Sequence, residues 1–372
     1  MNGRYMNLLG KILTAAATAA LLWALPASCI RSSDDAGYSE DERQISFIVR
    51  GEDMIHGTRA ATAFPDREEQ PDRLTTAQYG GGSFTVSAYI DDTETPYIDS
   101  AWVWYSAGWH FREGDDYEHI QYFWPHTSKK LNFFAYMPAF QNTDVFGRCG
   151  VNDITYTDAD GPMFSCTLPL TKDDDHNDST MDQDHLQEFI YAFEENLDRR
   201  TRDGYADIMF THPFAVIWLK LKRAHHDLKI NHVSFTRIYS QGRFTHSSTT
   251  PVKWEPAGSR GDLTLTVNRR VPDELPHNTV IDGPFIVMPQ DIAVTGPDSA
   301  LLTVNYDYDN NVEIEQVTGK DISIPLPAPD DRWLPGYAYT YVLDLGDNND
   351  TIKFKVEVEG WKLQSRQYLE VE

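Results

Sequence analysis

Residues 130–138 read KLNFFAYMP, an aromatic run closed by a proline. It lacks the three-to-four spacing of a helical face, and aromatic side chains suit the half-buried surface of a sheet, so it reads as a strand. The same class recurs on both sides of it. QISFIVRG (44–51) alternates Ile45, Phe47 and Val49 with Ser46, Ile48 and Arg50, and SFTVSAYI (83–90) alternates likewise. Later come FAVIWLKLKR, INHVSFTRI, DLTLTVNRR, PFIVMPQ, ALLTVNYDY, DISIPLP, YAYTYVLDL and TIKFKVEVEGW. These runs are short, rich in β-branched and aromatic residues, and spaced by Gly, Pro, Asn and Asp. That is the pattern of an all-β sandwich protein. HLQEFIYAFEENL (185–197) stays open between a helical turn or two and a strand with a loop.

The chain has 372 residues, 41% of them hydrophobic, which is enough core for about two domains of ordinary size. The polar stretches TKDDDHNDSTMDQDH (171–185) and ENLDRRTRDGYAD (195–207) interrupt the strands. A boundary near residue 200 therefore separates an N-terminal sandwich, 60–200, from a C-terminal one, 201–372. The formal net charge is -25. So acidic a surface repels nucleic acid and anionic lipid, which makes both poor partners, and suits a soluble extracellular protein.

Residues 1–28 have the plan of an export signal. Arg4 and Lys11 precede an apolar run from Ile12 to Ala27, shorter than the roughly 20 residues of a membrane span. The run ends in LPASC (25–29), which resembles a bacterial lipobox with Cys29 as the lipidated residue; Pro26 departs from it, standing where leucine is usual. The alternative is an ordinary secretory signal with a chance cysteine. Ser32 to Asp35 (SSDD) resembles the acidic tract that directs some lipoproteins to the outer face of the outer membrane, and a solvated linker has the same composition. Residues 29–59 then form an acidic tether followed by a first strand.

Chemistry is sparse. With Cys29 lipidated, Cys149 and Cys166 remain as an even pair in an oxidising compartment, either as a disulfide or as two buried thiols. DDDHNDSTMDQD (173–184) has carboxylates at some calcium-loop positions, but lacks the glycine at the sixth place and the glutamate at the twelfth. His225 and His226 are adjacent, so on a strand they point to opposite faces and, with His232, do not converge on zinc. No nucleophile elbow, phosphate loop or zinc-protease motif occurs. The expectation is a protein without catalysis, cofactor or metal, although paired carboxylates leave room for a surface hydrolase. AWVWYSAGWHF (101–111) places Trp102 and Trp104 on one face of a strand, to be buried as core or to stack on sugars.

An ordered set of phrases is similar to the fimbrillin family, the lipoprotein pilins of type V pili in gut and oral Gram-negative bacteria. They are YFWPHTSKKLNFFAYMP (122–138), LQEFIYA (186–192), MFTHPFAVIWLKLKR (209–223), FIVMPQDIAVTGPDSALLTVNY (285–306), RWLPGYAYTYVLDL (332–345) and VEVEGW (356–361). The resemblance implies two tandem transthyretin-like β-sandwich domains and polymerisation by strand exchange. An arginine-specific protease removes the N-terminal segment, and a strand of another subunit fills the groove that opens. Arg59, before two alanines, is the first choice for the cut and Arg50 the second. Ile352, Phe354, Val356 and Val358 form the candidate donor strand, with 362–372 as a second candidate. The partners implied are related pilus subunits, the protease, the outer membrane through the Cys29 lipid, and a host or microbial surface ligand. The alternative is a lipid-anchored glycan-binding protein.

Overall fold

The run at 130–138 forms a strand over Leu131–Met137 and is buried along its whole length. In this computed structural model the described residues are 44–51, 82–91, 93, 95–105, 108–112, 120–125, 129–158, 160–171, 182–183, 185–200, 204–224, 228–249, 252–271, 276, 278–292, 298–309, 316–345, 353–360 and 367–370. All lie within one compact unit, Asp41–Glu372.

In chain order the strands of the first half are β1 (Ser46–Gly51), β2 (Ser83–Ile90), β3 (Pro96–Tyr105), β4 (Trp109–Arg112) and β5 (Leu131–Met137). They continue with β6 (Val151–Thr157), β7 (Gly161–Thr167), β8 (Ile190–Leu197) and β9 (Tyr205–Phe210). The second half holds β10 (Ala215–Ala224), β11 (Leu228–Thr245), β12 (Lys253–Val271), β13 (Thr279–Val287), β14 (Gln290–Asp291) and β15 (Leu301–Asp309). It ends with β16 (Gln316–Pro325), β17 (Arg332–Trp333), β18 (Tyr337–Leu345), β19 (Lys353–Gly360) and β20 (Gln367–Glu370). Among the described residues the one α-helical turn is α1, Thr143–Phe146. The expected all-β class is the observed one, and 190–197 is a strand preceded by a loop.

β5 is buried throughout because its sheet, ordered β4-β3-β2-β5-β8, is covered on both faces. Phe133, Ala135 and Met137 enter one core with Phe84, Val103 and the β1–β9 pair. Phe134 and Tyr136, one residue out of phase, enter another with Phe164, Cys166, Phe244 and Met288. Alternate residues of a strand face opposite ways, so a strand covered on both sides loses its polar phase.

The third core lies between the β13-β10-β18-β19-β20 sheet and strands β11, β12 and β15. Here β11 does double duty: Leu228–Thr236 pairs with β15 and Gln241–Thr245 pairs with β7, while β12 runs along its other side. A single sheet is thus continuous across residue 200, and β9, just past that point, contributes Ala206, Ile208 and Phe210 to the first core.

Candidate functional site: the groove that holds the first strand

β1 forms a two-stranded sheet with β9 alone. Its alternation puts Ile45, Phe47 and Val49 inward at 2%, 6% and 1% exposure. Phe47 packs edge-on against Phe84, Phe111 and Phe133, with ring centroids 5.4, 5.2 and 6.3 Å apart. The backbone of β1 is held on one side by parallel pairing with β9, Phe47 opposite Ala206 and Val49 opposite Ile208. On the other side, Ile45 N–H donates to the Tyr122 carbonyl at 2.8 Å and Gln44 bridges Phe123. Trp124 fixes that flank, its indole N–H donating to the Gly204 carbonyl at 2.7 Å.

The outward phase carries charge. Arg50 Nε lies 3.1 Å from Asp207 Oδ1 on β9. Glu194 of β8 accepts the Met209 N–H through Oε1 at 3.1 Å. Burial pushes its carboxyl up; the Met209 hydrogen bond works against that shift, and the charge of Asp207 adds to it. The site is therefore an apolar slot with an acidic rim, filled by the chain's own first strand.

Cys29, Arg59 and Ile352 fall outside the described residues, as do His225, His226 and most of 173–184. Phe354, Val356 and Val358 lie on β19, in register with Leu343, Tyr341 and Tyr339 of β18, and β20 pairs along the other edge of β19. Of the two arrangements open to Cys149 and Cys166, a disulfide or two buried thiols, the structure has the buried free thiols. Both sit in the core on the far side of β5, where the Cys149 sulfur faces the carbonyls of Val145 and Glu188 at 3.8 and 3.9 Å. Val103, not the tryptophans, is the core phase of β3; Trp102 and Trp104 are half-buried on its other side. The Arg112 guanidinium lies 4.1 Å from the centre of the Trp102 ring and 5.7 Å from that of Trp104. Among the described residues no three His, Cys, Asp or Glu side chains are grouped to hold a metal ion. No helix of theirs is long and apolar enough to cross a membrane.

What sequence reasoning missed is β9 as the bed of β1, together with the Asp207–Glu194 rim. The signal was present in YADIMF (205–210), where Ala206, Ile208 and Phe210 alternate, but the adjoining polar run placed it at a domain boundary.

The fold belongs with fimbrial proteins. Residues 58–361 match the family model described as fimbrillin-like, and the chain belongs to that family. Among solved structures it is similar to a fimbrial protein from Bacteroides vulgatus, at 16% identity and a TM-score of 0.58, covering 86% of this chain and 99% of that one. It is also similar to the tip fimbrial protein Mfa3 from Porphyromonas gingivalis, at 10% identity and a TM-score of 0.40, covering 75% and 94%. No curated protein matches it by sequence.

Proposed function

We propose that the chain is an assembling subunit of a cell-surface fimbria. A lipid on Cys29 carries it to the outer membrane, and cutting after Arg59 by an arginine-specific protease makes it competent to assemble. The observation that carries this reading is the burial of Ile45, Phe47 and Val49 in a strand that precedes a long stretch of chain before β2 begins. Once cut at Arg59, β1 is held by non-covalent contacts alone. Its loss exposes an apolar slot and an unpaired edge of β9, and a strand from another subunit satisfies both. Arg50 suits the protease less well than Arg59, because it lies within paired β1 and is engaged with Asp207. The family match starts at residue 58, so β1 lies outside the stretch that the family shares. The candidate donor is the segment containing Ile352, Phe354, Val356 and Val358.

The test is strand replacement. The full chain, intact or cut at Arg59, is mixed with a fluorescent peptide spanning residues 42–53. The account expects uptake by the cut chain only, with release of the original N-terminal fragment. A cut chain that keeps its fragment and takes up no peptide removes the strand-exchange mechanism.

A further inference from the structure

Arg50 follows directly on the apolar alternation of β1, and the carboxylate it meets, Asp207, belongs to the rest of the protein. Asp207 is on β9 and Glu194 on β8, so both stay in place when β1 leaves. The Arg50 and Asp207 side chains are 31% and 18% exposed, a partly desolvated setting in which a charge mismatch costs more than at an open surface. The neighbouring Glu194 adds a second negative group, tied to β9 through the Met209 N–H. The slot thus has two kinds of recognition: three inward apolar places, held now by Ile45, Phe47 and Val49, and one basic place immediately after them.

We propose that this groove selects its incoming strand by charge, and that its occupant is a strand of a different subunit in which apolar residues at alternate positions lead directly into a lysine or arginine. This rests on the strand-exchange reading above. The incoming strand is taken to run as β1 does, parallel to β9.

The chain's own donor candidates fail this rule. With Phe354, Val356 and Val358 in the three apolar places, Glu359 stands where Arg50 was. With Ile352, Phe354 and Val356 there, Glu357 does. In 362–372, placing Leu369 and Val371 in the last two apolar places brings Glu372 to the basic one. Each alignment sets a carboxylate against Asp207, itself coupled to the charge of Glu194, and like charges in such a site oppose association. The groove therefore discriminates against a second copy of this chain and favours a junction between unlike subunits.

The experiment uses the full chain cut at Arg59 and three labelled peptides: residues 42–53, the same peptide with Arg50→Glu, and residues 351–361. The first should enter; the other two should bind at least about fivefold more weakly, the scale of a partly buried charge pair replaced by a repulsion. Asp207→Lys in the cut chain should restore the Arg50→Glu peptide. Equal uptake of the Arg50→Glu or the 351–361 peptide overturns the charge rule and leaves strand exchange standing. A deficit that Asp207→Lys does not restore also overturns it. If no peptide enters, strand exchange falls and the charge rule with it.

Discussion

His212 Nδ1 stands 2.7 Å from Glu188 Oε1, with both side chains almost fully buried. The pair joins the segment leading into β8 to the turn between β9 and β10, next to the isolated bridge of Tyr191 with Thr211. It ties the bed of the first strand to the start of the second half of the chain. Removing one partner leaves the other buried and polar without its mate. His212→Ala should cost about 3–5 kcal/mol in urea unfolding, as for breaking a buried pair from one side. Glu188→Gln in the same background should recover part of that loss. A wild-type midpoint for His212→Ala would show that the contact contributes nothing.

Phe47 anchors β1, with three aromatic neighbours and 6% exposure. Phe47→Ala should destabilise the intact chain by about 3–5 kcal/mol, the usual range for a buried phenylalanine. After cutting at Arg59 it should also speed release of the N-terminal fragment, measured by size exclusion over time. Unchanged release would mean that the slot does not retain the strand through its apolar contacts.

Burial pushes the Cys166 thiol up to about 12 from an ordinary 9.0, and the Tyr136 and Tyr339 phenols to about 12 from 10.0. The unfolded chain gives up these protons first, so the folded chain binds more of them as pH rises. Their contribution is complete below about pH 9 and is lost progressively toward about pH 12. The urea midpoint should therefore fall between about pH 8 and about pH 10.5, and fall less in Cys166→Ala. A thiol reagent at neutral pH should label Cys149 and Cys166 only as the protein unfolds, since the thiolate is the reactive form. Rapid native labelling, or a flat midpoint across that range, contradicts the burial argument.

A donor role for the C-terminal segment predicts that Val356→Asp leaves β1 uptake by the cut chain intact but stops the chain from filling a related subunit's groove. Native gels of mixed subunits read this directly. Equal filling by the variant would move the donor role to 362–372 or elsewhere.

The strand class was legible wherever one face is solvated. In β1, Ile45, Phe47 and Val49 alternate with Ser46 and Arg50, and a period of two is visible. In β5 it was not, because cover on both faces erases the polar phase that tells a reader which residues point where. β11 and β12 read as shorter strands because register shifts at Ile230/His232 and Phe235/Ile238 break the alternation that would have joined their parts. The slot was half legible: ISFIVRG announced a separable strand, whereas its bed and the Asp207–Glu194 rim depend on contacts that only the folded chain brings together. Sequence spacing carries local period, and it does not carry which strand lies beside which.

The central claim is that β1 plugs the groove before assembly and is absent after it. The most direct measurement is mass spectrometry of the N-terminus of this protein recovered from assembled fimbriae. The account predicts a chain that begins at Ala60, with residues 44–51 gone. A chain in the fibre that still begins at a lipid-modified Cys29 and retains β1 would contradict it.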